Sequence, residues 1–135
     1  MDSRISVSIT SDPQLLAVVR AAVAKVCELA GYSDEVSQKI VLAVDEACTN
    51  VIKHAYKGRK GQPIDLEFRL GNRNLGITIQ DHGEPAEKSK LKSRDLKEIR
   101  PGGLGVYLIK STMDRVKYVT KPDSGNQLIM TKSLP

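Results

Sequence analysis

The chain has no tryptophan, one phenylalanine and four tyrosines among 135 residues. So few rings give nucleic-acid bases no stacking platform, and no basic stretch matches a known reader motif, so direct nucleic-acid binding is not expected. Cysteine is scarce as well. Cys27 and Cys48 lie within helical patterns rather than in a spaced framework, which reads as two buried thiols in a reducing compartment. No histidine or cysteine is spaced to complete a zinc site. Also missing is any apolar run near the ~20 residues that cross a bilayer. The opening Met1-Asp2-Ser3-Arg4 leads into an alternating strand and lacks the apolar stretch of a secretory signal. The expectation is a soluble, cytoplasmic protein with no membrane contact.

What remains is ordinary globular material. A chain of this length is expected to form one domain, residues 1–135, and a domain of that size buries roughly 65–70% of the surface its unfolded chain exposes. Lys and Arg number 21 against 16 Asp and Glu, a formal charge of +5. That is modest, and reads as a solvated basic face that favours solubility.

Ile5, Val7 and Ile9 alternate with Ser6, Ser8 and Thr10, the period-two mark of a half-buried strand. Asp12 offers an N-cap with Pro13 at the first helical position, and Leu15, Val19, Ala22, Val26 and Leu29 recur at helical spacing up to Gly31. A second helix starts at Ser33 or Asp34, with Val36, Ile40, Ala43, Val44, Ala47 and Val51 as its buried stripe, and the pattern ends at Gly58. Ile64, Leu66, Phe68 and Leu70 alternate with charges. After the turn Gly71-Asn72-Arg73-Asn74, Leu75, Ile77 and Ile79 continue as the second arm of an antiparallel hairpin. The polar stretch from Glu84 to Pro101 reads as a mobile lid or a short loose helix. Val106 to Met113 reads as a helix, Val116 to Lys121 as a strand, Pro122-Asp123-Ser124-Gly125 as a turn and Gln127 to Lys132 as a last strand. The order predicts an α+β fold, a two-layer α/β sandwich with a mixed sheet covered by helices on one face.

Three segments carry chemistry. On the second helix, at about 100° per residue, Asp45 points away from the buried stripe into water. Glu46, Asn50 and His54 climb one flank at intervals of four, partly desolvated yet open to a cleft. There a carboxylate can act as a general base and an amide oxygen can ligate Mg²⁺. The same pair also fits the wet border of an amphipathic helix, and His54 fits an interaction with the helix's C-terminal carbonyls. The second segment is Asp81-His82-Gly83-Glu84-Pro85. Parity turns Asp81 toward the core, where a carboxylate needs donors. The exocyclic amine of adenine would be one, with Gly83 letting the backbone approach the base; a turn in which Asp81 binds its own backbone is the other reading. The third is Gly102-Gly103-Leu104-Gly105, ahead of Val106, Leu108, Ile109 and Met113. Side-chain-free residues before a helix N-terminus suit a polyphosphate or a flexible hinge. This is neither a Walker loop nor a Rossmann fingerprint.

In this order the three resemble the motifs of the GHKL, or Bergerat-fold, histidine-kinase-like ATPases, and within them the small anti-sigma-factor serine kinases of bacterial partner switching. The resemblance spans nearly the whole chain: an N box over Glu-Ala-Cys-Thr-Asn-Val-Ile-Lys-His-Ala-Tyr from Glu46 to Tyr56, a first glycine box at Asp81 to Pro85, and a second at Gly102 to Gly105. It implies an ATP-dependent protein serine/threonine kinase with ATP and Mg²⁺ as cofactors. Glu46 would be the base, Asn50 the Mg²⁺ ligand and Asp81 the adenine contact, with Gly83 giving access. Lys53, His54, Gly102, Gly103, Leu104 and Gly105 would line the nucleotide, residues 86–101 would form the ATP lid, and Arg100 would reach the γ-phosphate. The implied partners are a STAS-type anti-anti-sigma protein as substrate, a sigma factor to sequester, and a second copy of the chain in a homodimer. The exposed face of the first helix, with Arg20 and Lys25, is the expected docking surface. In many relatives a Gly-Thr pair opens the last strand and its threonine helps hold adenine through water. Here Gly125 is followed by Asn126 and Gln127, so an amide would have to replace that contact. The rival functions are a non-catalytic, nucleotide-gated binding module and a GHKL switch kinase acting on a larger scaffold.

Overall fold

The structure is a computed structural model that describes residues 2–85, 101–121 and 123–135, with backbone alone for 101–105. Strands β1 (Ser3–Thr10), β2 (Pro63–Leu70), β3 (Asn74–Asp81), β4 (Arg115–Lys121) and β5 (Gly125–Ser133) form one sheet in the order β1-β2-β3-β5-β4. Helices α1 (Leu16–Ala30), α2 (Asp34–Asn50) and α3 (Pro101–Thr112) cover one face. Strand alternation sets this layering. Ile64, Leu66 and Phe68 of β2 and Leu75, Ile77 and Ile79 of β3 are buried. They meet Leu16, Val19, Val23 and Val26 of α1 and Ile40, Ala43, Val44 and Ala47 of α2 in one core. Each large aliphatic side chain enclosed this way stabilises the fold by about 1.5–3 kcal/mol. Glu67 and Arg69, with opposite parity, stay exposed on the other face.

Local chemistry sets the ends of the elements. Asp12 accepts a hydrogen bond from the Gln14 amide at 3.0 Å. With Pro13 it opens a 3-10 turn, Pro13–Leu15, before α1 begins at Leu16. Gly31 closes α1 in the left-handed region at φ 89°, its amide donating to the Cys27 and Glu28 carbonyls. Ser33 caps α2 by accepting from the Val36 amide at 3.3 Å. Lys132 reaches from β5 to the Thr112 carbonyl at 2.8 Å, placing a cation at the C-terminus of α3. Among the described residues no helix is long and apolar enough to cross a membrane.

Two expectations need correction. The sheet is not mixed: all four strand pairings are antiparallel. The α1–α2 excursion returns the chain to the end where β1 finished, so that Thr10 pairs with Pro63 at the start of β2. Strands β3 and β4 do run in the same direction, but the β4–β5 hairpin inserts β5 between them. Asp45, in turn, does not project into water. It is only partly exposed, and its carboxylate pairs with the Arg20 guanidinium at 2.8 Å because α1 packs along that side of α2. Lys25 is likewise paired, with Glu28 at 2.7 Å, so both cations of the expected docking face already have a carboxylate partner.

Candidate functional site

Strand register gathers the polar groups at one end of the sheet. A row of paired residues runs Ile9, Ile64, Asp81, Asn126, Thr120 across the strands. Asp81 is 4% exposed and Asn126 1%. Asp81 Oδ1 accepts from the Gly83 amide at 2.8 Å, the turn expected of Asp-His-Gly, and from Asn126 Nδ2 at 2.8 Å. Asn126 Nδ2 also reaches the carbonyls of Gly83 at 3.2 Å and Glu84 at 3.3 Å, while its Oδ1 accepts from the Thr120 hydroxyl at 2.7 Å. Gly125, at φ 85°, lies with its Cα against the Asp81 carbonyl, where a Cβ would overlap it.

The end of α2 is fastened to this loop. After Asn50 the helix widens into a π turn, Val51–Ala55, a feature that often marks functional sites. The Ala55 carbonyl accepts from the Glu84 amide at 2.8 Å. Tyr56, buried, donates its hydroxyl to the Pro63 carbonyl at 2.6 Å and accepts from the His82 amide at 2.8 Å. Burial is the main cause that raises its phenol above the ordinary tyrosine range. Lys57, in the left-handed region at φ 51°, pairs with Glu84 at 2.9 Å. Gly83 sits so close to Ala55 that a Cβ would overlap the Ala55 backbone. The glycine is therefore required by this helix end, whatever else it approaches.

Glu46 and Asn50 lie half-buried on the flank of α2, and neither side chain forms a hydrogen bond or ion pair with another described residue. Lys53 and His54 are exposed in the π turn. The cysteines are buried and unpaired as disulfides, and burial pushes Cys27 up to about 11 and Cys48 to about 12, which suits neither to attack as a thiolate. Among the described residues no three His, Cys, Asp or Glu side chains converge on a metal. Mg²⁺ held mainly by phosphate oxygens and water needs only one or two protein oxygens, and the Asn50 amide fits that demand.

The glycine segment departs from the expectation of a turn before a helix. Gly102, Gly103, Leu104 and Gly105 belong to α3, whose backbone is helical from Pro101. Proline at the first helical position has its φ preset for the helix. Burial of Val106, Ile109 and Met113 then carries a helix whose glycines each cost roughly 1 kcal/mol relative to alanine. Of the expected lid, 86–101, residues 86–100 with Arg100 lie outside the described residues, and Pro101 opens α3. Thr120, Ala55 and Tyr56 complete the site with no role assigned to them from the sequence alone. Asn126, expected as an amide in place of the relatives' threonine, bonds to the Asp81 carboxylate from a position whose parity points inward.

Comparison with known proteins agrees with this architecture. A model of the histidine kinase-like ATPase domain matches residues 9–132. The serine-protein kinase RsbW of Halalkalibacterium halodurans is 33% identical over 138 residues, covering 96% of this chain and 83% of that protein. RsbW of Bacillus subtilis is 30% identical over 139 residues, covering 96% and 85%. A crystal structure of the RsbU and RsbW domains of a Mycobacterium tuberculosis protein shares the fold, with a TM-score of 0.70 at 15% identity. The match covers 98% of this chain and 33% of that one, so this chain spans a third of its length. The chain belongs to the histidine kinase-like ATPase domain family.

Proposed function

We propose that the chain is an ATP-dependent protein serine kinase and anti-sigma factor, which phosphorylates a STAS-type anti-anti-sigma protein and sequesters a sigma factor. The observation that carries this reading is the fastening of the Glu46–Asn50 helix to the Asp81 loop through Ala55, Tyr56 and Gly83, alongside whole-length similarity to serine-protein kinases named RsbW. ATP and Mg²⁺, when bound, supply the phosphoryl group and the charge neutralisation. Asp81 accepts from the 6-amino group of adenine. Asn50 offers its amide oxygen to Mg²⁺, and Glu46 accepts the proton of the incoming serine hydroxyl. Lys53 and His54 contribute exposed donors one turn further on. Gly102, Gly103, Leu104 and Gly105 face the phosphates through the N-terminal amides of α3, where the helix dipole favours anions, and Arg100 serves the γ-phosphate.

The experiment is phosphoryl transfer from labelled ATP to purified STAS proteins encoded beside this chain. Transfer to a serine of one of them, lost in Glu46→Gln with ATP binding retained, is the expected result. Tight ATP binding with no transfer to any STAS protein would replace the kinase with a nucleotide-gated binding module.

A further inference from the structure

We infer that Asn126 is a positioning residue that sets the base selectivity of the site by fixing the Asp81 carboxylate. This rests on the reading of Asp81 as the adenine contact. The amide orientation follows from its partners. A flipped Asn126 would turn its oxygen toward the Asp81 carboxylate and two carbonyls, and its nitrogen toward the Thr120 hydroxyl, whereas the observed one matches donors to acceptors throughout. One Nδ2 proton serves Asp81 Oδ1, and the other lies between the Gly83 and Glu84 carbonyls at 3.2 and 3.3 Å.

Two consequences follow. Asn126, 1% exposed and engaged at both ends of its amide, does not meet the base; it acts through Asp81. And because every hydrogen bond to that carboxylate from a described residue falls on Oδ1, Oδ2 is the atom that accepts from a 6-amino purine. A 6-oxo purine would set acceptor against acceptor there. A hydroxyl, with its single proton, could not serve the carboxylate and the loop carbonyls together, so the amide ties the rotamer of Asp81 to the path of Gly83 and Glu84.

The test compares Mg²⁺-dependent binding of ATP, ITP and purine riboside triphosphate, by calorimetry, in the wild-type chain, Asn126→Ala, Asn126→Thr and Thr120→Val. The wild type is expected to prefer ATP over purine riboside triphosphate by about tenfold, the equivalent of about one hydrogen bond to a charged group, and over ITP by more. Asn126→Ala should bring the ATP preference to within about threefold while leaving purine riboside triphosphate affinity nearly unchanged. Asn126→Thr should recover part of the preference. A merely structural role would weaken all three nucleotides together, and an unchanged preference in Asn126→Ala overturns the inference. If that variant does not fold, Thr120→Val decides: it releases the amide oxygen from an exposed edge strand and should narrow the same preference, whereas an unchanged preference there overturns the inference too. A wild-type chain that takes up ATP and purine riboside triphosphate equally would instead overturn the role of Asp81, and this inference with it.

Discussion

Gly83 and Ala55 meet backbone to backbone: a Cβ on residue 83 would overlap the Ala55 carbonyl group, whose oxygen already accepts from Glu84 at 2.8 Å. This contact joins the helix bearing Glu46 and Asn50 to the loop bearing Asp81. It explains why residue 83 has no side chain without calling on a ligand.

Gly83→Ala is therefore expected to destabilise the fold by about 1–3 kcal/mol, the usual cost of forcing an extra methyl into a packed site, and to weaken ATP binding as the loop moves off the helix. Urea unfolding and calorimetry read the two effects. Gly76→Ala is the control, since a Cβ there meets only Arg69 Cβ at 3.9 Å; its stability should stay within about 0.5 kcal/mol of the wild type.

Tyr56→Phe removes the acceptor of the His82 amide and a donor to the Pro63 carbonyl while keeping the ring in the core. Leaving such a buried group without its partner costs about 1–3 kcal/mol. The variant should fold with a lower urea midpoint and show faster hydrogen exchange at the His82 amide. An unaltered midpoint would mean that the hydroxyl contributes nothing to holding the loop.

The strands and helices could be read from the sequence because each buries one periodic face: Ile64, Leu66 and Phe68 mark a sheet face, and Ile40, Val44 and Ala47 a helix stripe. Strand order could not. Whether β5 lies outside β4 or between β3 and β4 depends on pairing across the sheet, which leaves no local periodic trace. The bond from Asn126 to Asp81 leaves no local trace for the same reason: the amide finds that carboxylate only once register sets the two opposite each other. The pairing of Asp45 lies beyond a helical wheel, which treats α2 in isolation, because Arg20 comes from another helix. At the start of α3, glycine propensity favours a turn, and packing of the helix against α2 overrides it.

Alkaline pH should destabilise the fold. Burial raises Cys27 to about 11 and Cys48 and Tyr32 to about 12. Each group keeps its proton longer when folded, so the native state binds more protons than the unfolded one across this window, and stability falls as pH rises. The contribution is intact below the ordinary thiol value of 9.0 and is lost progressively as pH climbs toward about 12. Urea midpoints under reducing conditions should be level near neutrality and decline above pH ~9. Cys48→Ala should flatten part of that decline, and native Cys48 should react with a thiol reagent only as fast as the chain opens.

Arg20 and Asp45 supply the last prediction, because their ion pair at 2.8 Å, with 45% and 22% of the side chains exposed, separates a structural from a docking role. A pair this open stabilises a fold by only about 0–1 kcal/mol, and Arg20→Glu adds like-charge repulsion with Asp45, so the variant should lower the unfolding midpoint modestly and still fold. If α1 receives the partner protein through this cation, Arg20→Glu should still weaken binding of the STAS protein or the sigma factor by about tenfold or more, as the loss of a desolvated charge pair does. The swap Arg20→Glu with Asp45→Arg then decides between the two. It restores the intramolecular pair but not the cation on α1, so binding should stay weak if Arg20 touches the partner. Full recovery in the swap would show that the pair only holds α1 against α2, and would move the docking surface elsewhere.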